Sequence, residues 1–441
     1  MIRYKLKFWP LILGVLGSAS VLTGQDFDGL VRKAWDKSPF LKEKQILLEQ
    51  AEAGLREARA FYMPSVGWAA TYTLAAGGRS IEFPVGDLLN PVYAALDQLT
   101  GTPQFPRLEN VQTYFLPNNF YDTRFRVQQP IYQPDISIQT SIKKEELQQR
   151  DLDIRTFKRT LSREVIQTRL QLESARVYRD ILLRAEQYLA TARRQSESLL
   201  RNGMVLPSVL QRLDAESAHL KARLSESDML QAQAEAYLFY LTGEKDFPPI
   251  LLAELPEIPG GNPFQREELL QLESGIRMQE KALKREQQFY HPRIGLMADL
   301  GSQDFQFNWN PYVLVGLNLE WNLYDGGRLK QRKIKAKKAV QSISTHKTAV
   351  EEQIALQSQI ARIQLEGSIA QAKTHAPRIQ SADRVYQETL KTYQEGTSGY
   401  LELIDAQNLW LNAQSEYRLA RFTAWQKWSE YLFVKALYPI E

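Results

Sequence analysis

Four short segments of the chain alternate apolar and polar side chains with a period of two, and the long stretches between them repeat apolar positions with the period of a helix. After Pro64, the residues Val66, Trp68, Ala70, Tyr72 and Leu74 alternate with Ser65, Gly67, Ala69, Thr71 and Thr73. Before Pro130, Phe125 and Val127 alternate with Arg124, Arg126 and Gln128; after Pro292, Ile294, Leu296, Ala298 and Leu300 alternate with Arg293, Gly295, Met297 and Asp299. The fourth segment sets Val313, Val315, Leu317, Leu319, Trp321 and Leu323 against Gly316, Asn318, Glu320 and Asn322. These read as strands with one apolar face and one face of arginines, carboxylates and amides. From Ile136 to Arg201 the sequence has no Gly or Pro, and Leu161, Val165, Leu172, Leu182, Leu189 and Leu199 mark a helical stripe. A second long helix is expected from Gly326-Gly327 to near Gln394, with Gly367 and Pro377 as points where it could kink. Shorter returning helices are expected over 206–241 and 401–437, and two more over 27–61 and 266–290.

The order of these segments repeats. Phe61-Tyr62-Met63-Pro64 returns as Phe289-Tyr290-His291-Pro292, Pro130-Ile131-Tyr132-Gln133 as Asn322-Leu323-Tyr324-Asp325, Gly203 as Gly396, and Tyr237-Leu238-Phe239 as Tyr431-Leu432-Phe433. Shared order at nearly constant offset points to a tandem duplication. The first half, 25–241, carries about 36 extra residues, placed in a long loop over 75–121 with a helical turn or two at 88–99. A Pro/Gly-rich linker spans 242–265, and the second repeat spans 266–441.

The start reads as an export signal over 1–24: Arg3, Lys5 and Lys7 precede an apolar stretch, Phe8 to Val21. A retained membrane anchor is the alternative. Three of the 55 basic residues lie in that segment, so the rest of the chain is nearly neutral against 51 acidic residues and carries no excess that would draw it to nucleic acid. Cysteine is absent, which excludes disulfides, thiolate metal sites and thiol catalysis. The four histidines show no ligand spacing, and neither a phosphate loop nor a Ser-His-Asp arrangement stands out. No enzyme and no cofactor are expected.

The alternating segments fit either an antiparallel sheet on a soluble core or membrane-spanning strands with their apolar face towards lipid. In the second case Arg124, Arg126, Arg293, Asp299 and Glu320 face a wet lumen. Four strands cannot close a barrel, because the smallest membrane barrels need about eight. Open edges in lipid leave backbone groups unsatisfied at a cost of several kcal/mol each. The chain must then borrow strands from its copies, and three copies would supply twelve.

At this point the chain resembles the TolC family of outer-membrane efflux and secretion ducts. The resemblance rests on the order of elements and on two stretches. One is Leu319-Glu320-Trp321-Asn322-Leu323-Tyr324-Asp325-Gly326-Gly327, like the family's strand-to-helix junction; the other is Tyr393-Gln394-Glu395-Gly396-Thr397 followed by Leu403-Ile404-Asp405-Ala406, like its second periplasmic turn. It implies a mainly α fold with transmembrane β: a homotrimer whose twelve-stranded β-barrel in outer-membrane lipid continues into a long periplasmic α-helical barrel. It also implies docking to a periplasmic adaptor and an inner-membrane transporter. The tip turns would hold Gly203, Gly396 and Gly399, the junctions Tyr132, Tyr324, Gly326 and Gly327, and the gate Tyr393, Glu402 and Asp405. Three copies of the two acids would make carboxylate rings that favour cations.

Departures are plain. Ser398 stands where the family pattern has an arginine, Val209 replaces an acidic residue, and Gln133-Pro134-Asp135 replaces Asp-Gly-Gly at the first junction. The long loop could cap the outer mouth, fold inwards as a plug or remain a surface loop. A periplasmic coiled-coil scaffold or adaptor that never enters lipid is the rival to the duct.

Overall fold

The computed structural model describes residues 25–116, 118–250, 255–259, 266–395 and 397–438. Residues 1–24, where an export signal is expected, Gly396 and 10 residues of the 242–265 linker lie outside them. The chain divides into two compact units, one of residues 1–49, 149–273 and 344–441, the other of 50–148 and 274–343.

The second unit holds the strands. They are β1 (Ser65–Thr73), β2 (Ser80–Phe83), β3 (Val111–Tyr114), β4 (Phe120–Tyr132), β5 (Arg293–Asp304) and β6 (Pro311–Glu320). β1, β4, β5 and β6 form one antiparallel sheet in that order, and β2 pairs only with β3. The register sets like against like: Trp68 lies opposite Phe125, which lies opposite Leu300, which lies opposite Val313. β6 ends at Glu320, so Trp321 and Leu323, expected to extend the alternation, lie beyond the strand, and the Trp321 indole donates to the carbonyl of Tyr290 at 2.8 Å. The interval 75–121 is not a plain loop. It contains β2, β3 and the 16-residue α3 (Val85–Thr100), longer than its 88–99 apolar core, because Gly101 ends the helix in the left-handed conformation at φ 72°.

The helices are α1 (Gln25–Lys37), α2 (Pro39–Ala60), α4 (Pro134–Arg201), α5 (Pro207–Thr242), α6 (Glu267–Gln287), α7 (Arg328–Gln394) and α8 (Tyr400–Val434). The single helix expected over 27–61 is broken at Ser38. Its Oγ accepts from the Leu41 amide at 3.3 Å, and Pro39, which has no amide hydrogen, opens α2. The helix expected over 266–290 passes into a 3-10 turn over Gln288–Tyr290. α7 continues helical through both Gly367 and Pro377. Asp325 starts α7: one carboxylate oxygen accepts from the Gly327 amide at 3.1 Å, the other from Leu329 at 2.5 Å. Gly326 and Gly327 have φ of 67° and 80°, which a side chain would strain.

In the first unit, Phe27, Val31 and Ala34 of α1 pack with Leu161, Val165, Ile166 and Leu170 of α4, Leu241 of α5 and Trp425 of α8. Arginines on α4 tie this core to the chain around it. Arg159 is buried, reaches Glu267 at 2.8 Å and Glu268 at 2.7 Å, and stacks on Phe433. Arg169 donates to the carbonyl of Pro248 and Arg176 to that of Phe247, so both hold the segment after α5. Burial by itself would raise the Glu268 carboxyl, but Arg266 and Arg159 outweigh it and hold it at about 2.

Three outcomes test these contacts. Asp325→Ala should cost about 1–2 kcal/mol of stability, the usual range for a lost helix cap, read as a lower denaturant midpoint. Arg159→Ala leaves the buried Glu267 carboxylate without its ion-pair partner, while Glu268 keeps Arg266, and should cost about 3 kcal/mol. Because Glu268 has a depressed folded pKa, its contribution is complete above about pH 4.5 and is lost as pH falls towards 2. Glu268→Gln should therefore flatten that acid limb in denaturant midpoints measured against pH.

Candidate functional site

The two faces of the four-stranded sheet differ in chemistry. On one, Val66, Trp68, Phe125, Leu300, Val313, Val315, Leu317 and Leu319 are exposed, up to 71% at Leu317. Large contiguous apolar surface is rare on a protein that meets only water. The opposite face carries Arg124, Arg126, Arg293, Asp299 and Glu320. Arg126 binds Asp299 through two parallel bonds of 2.8 and 2.7 Å; Arg124 binds Asp122 at 2.8 Å, and Tyr312 donates to the same carboxylate at 3.0 Å. Arg293 reaches Asp135 at 2.6 Å and Glu320 at 3.9 Å. The five strand residues named from the sequence thus share the polar face. Gly301 makes room there, since a Cβ would stand 2.5 Å from the Thr123 carbonyl and 2.9 Å from the Arg124 and Tyr312 side chains.

Aromatic side chains mark both ends of the apolar face. At the end where β1 meets β4, Phe307 lies against Tyr72 and stacks on Tyr121, Phe305 packs on Phe120, and Trp309 is exposed. The turn between β5 and β6 is held by Asp304, which accepts from the amides of Gln306 and Asn308. At the other end stand Tyr132, Tyr290, Trp321 and Tyr324, all exposed, and the Tyr132 hydroxyl meets His291 Nδ1 at 3.1 Å. The ten residues of β6 span roughly 33 Å at about 3.3 Å each. Tilted by about 40°, they match an apolar band about 25 Å tall between aromatic girdles. The girdles are not legible in the sequence because Trp309 and Phe307 sit in a turn, outside any alternation.

The helical hairpins form the other candidate site. Gly203 ends α4 in the left-handed region at φ 72°, where the Met204 amide bonds the Leu199 carbonyl at 2.9 Å. Gly399 does not share that role. With φ −80° and ψ 152° it is the extended residue before α8, a conformation open to any side chain. Glu402 and Asp405 are exposed on the first turns of α8. Ser398, in the position where an arginine was expected, donates to Glu402 at 2.6 Å. Asp405 has no ion-pair partner among the described residues. Val209 packs in the apolar cluster that joins the hairpins, and Asp214 pairs with Arg193 at 2.8 Å.

Tyr400, which the sequence did not single out, is the residue that locks the hairpins together. It is buried with Ala185, Leu189 and Ala192 of α4 and Leu213 of α5, and its ring lies 5.8 Å from that of Tyr393. Burial pushes its hydroxyl up to about 12, with the neighbouring Ser196 hydroxyl opposing the shift. Tyr393 is also pushed up by burial. Further along, Tyr188, Tyr386 and Trp410 join α4, α7 and α8 in one aromatic cluster. Only the register of α4 against α8 shows which tyrosine is enclosed.

Among the described residues no helix is long and apolar enough to cross a membrane, and no group of three or more His, Asp or Glu could hold a metal ion. Residues 265–429 match the family described as "Outer membrane efflux protein", a family of channels and not of enzymes. No curated protein sequence matches the chain. Among solved structures, the outer membrane protein VceC of Vibrio cholerae superposes with a TM-score of 0.75 at 16% identity, over 93% of this chain and 96% of that one. The CmeC outer membrane channel of Campylobacter jejuni gives 0.75 at 13% identity, over 93% and 85%. The open state of the MtrE outer membrane channel of Neisseria gonorrhoeae gives 0.72 at 13%, over 93% and 88%. Residues 265–429 thus match the outer membrane efflux protein family, and the chain as a whole takes the fold of the outer-membrane channels.

Proposed function

We propose that the protein is a passive exit duct of the outer membrane, serving a tripartite efflux pump or a type I secretion system and carrying small molecules or polypeptides outwards. The observation that carries this reading is the sheet: four strands with an exposed apolar face, an ion-paired polar face, and, among the described residues, no partner on the outer edges of β1 and β6. In lipid those edges need partners, and another copy of the chain offers β6 to β1. Three copies give twelve strands, with the polar face lining a wet lumen. The long helices stand in the periplasm, where a periplasmic adaptor and an inner-membrane transporter meet the tip turns. A periplasmic scaffold would have no use for the apolar sheet face.

Gating belongs at the helix tips. Tyr400 holds the α7–α8 hairpin to the α4–α5 hairpin, so parting them must withdraw its ring from an apolar pocket. The carboxylates of Glu402 and Asp405, three of each in the trimer, favour cations at a constriction.

The protein should fractionate with the outer membrane, resist a salt wash, and leave detergent as a heat-sensitive trimer; a monomer soluble without detergent overturns the duct. In planar bilayers the wild type should show small, mostly closed currents. Tyr400→Ala should raise the open fraction while Tyr400→Phe, which keeps the ring, should not. Glu402→Gln with Asp405→Asn should lower cation preference, and unchanged selectivity removes these residues from the gate.

A further inference from the structure

The insertion between β1 and β4 is a small folded module built on α3, and its two helix faces are used differently. On one, Gly86, Asn90, Tyr93 and Asp97 recur at spacings of four, three and four, and all meet the returning chain. Asn90 exchanges two 2.8 Å bonds with the backbone of Leu108, Tyr93 stacks on Phe105, and Asp97 accepts from the amides of Gln104 and Phe105. At Gly86 an added Cβ would stand 2.4 Å from the Leu108 carbonyl. The opposite face repeats the spacing with Leu88, Val92, Ala95 and Leu99, all exposed, to 68% at Leu88 and 83% at Leu99.

A narrow apolar seam at alternating steps of four and three is the pattern of a helix that packs along another helix, and is narrower than the stripe that rests on a broad core. It carries no charge: Asp87 and Asp97 lie off it, and both bond the module's own returning segment. Within its unit the remaining helices join the strands at their opposite ends, so among the described residues of that unit no helix receives the seam. The module is rooted at the end of the edge strand β1, which in the proposed trimer meets the neighbouring copy. Its base is fixed there: Asn119 accepts from the Tyr72 hydroxyl at 2.8 Å and donates to the Phe305 carbonyl at 2.7 Å.

We propose that the occupant of this seam is the same seam of the neighbouring copies. The α3 helices of the three chains pack around the threefold axis and close the outer mouth with an apolar constriction. A face that meets its own equivalents in a closed ring of three must point at the axis, and a constriction lined by Leu and Val blocks ions by shedding water. This second gate rests on the trimeric duct and adds to it.

The absence of native cysteine makes the test direct. Leu99→Cys in the full-length protein, oxidised mildly in its membrane, should give covalent dimers from each trimer, while Glu109→Cys, exposed on the returning segment, should not. In the Tyr400→Ala background, which opens the helix tips, Val92→Ser with Leu99→Ser should leave the trimer intact and raise single-channel conductance several-fold. Intact trimers without Leu99→Cys dimers overturn the outer gate and leave the duct standing. Quenching by brominated lipid of a fluorophore attached to the thiol of the Leu99→Cys variant assigns the seam to the bilayer and likewise overturns the gate. A wild-type chain that does not form trimers removes both.

Discussion

Unpaired backbone is the constraint on which this structure turns. The sheet satisfies β4 and β5 on both sides and, among the described residues, leaves β1 and β6 each with a free row of amides and carbonyls. In water such edges are a hazard that charges or bulges can blunt; in hydrocarbon they cannot persist. In the proposed duct the apolar face lies in hydrocarbon, and there the face and the edges together demand other copies. Neither would suffice alone, since an apolar face can rest on a core and a wet edge can be hydrated.

The same logic of incompleteness runs through the helices at a smaller scale. The α4–α5 hairpin buries its stripe only because Tyr400, Leu411 and Trp410 of α8 pack against it. α3 pairs one of its faces within its own module and leaves the other bare. A chain that repeatedly stops short of closing its surfaces is suited to assembly, and surfaces closed by assembly can open without unfolding the protomer. Three arginines of α4, two of them buried, are the counterweight. Arg159, Arg169 and Arg176 fix the flanking segments to one long helix through charge-assisted bonds that tolerate little displacement.

Site residues differ in how legible they are. Arg126 and Asp299 can be assigned to one face from parity along each strand, because side chains alternate with a period of two; that they pair bidentately needs the register between β4 and β5. Gly203 can be assigned to a turn because few other residues take its backbone conformation. Gly399, placed with Gly203 and Gly396 in the tip turns, has instead an extended backbone that any residue could adopt. Ser398 stands in sequence as a missing arginine, whereas in space it bonds the acid four residues later. The break at Ser38 is written in Ser38-Pro39 and masked by the apolar period that runs across it.

Local periodicity, glycines at left-handed turns and the repeat of the whole pattern were enough to set the long helices, the four strands of the main sheet, their order and the sheet's two chemistries, because each depends on neighbours close in sequence. The tertiary structure alone decided which tyrosine is enclosed between the hairpins, which carboxylates Arg159 meets, and that the 75–121 interval folds as a module with one helix face left over. Those outcomes depend on residues a hundred or more positions apart, or on which of two similar faces finds a partner. Sequence spacing carries no measure of either.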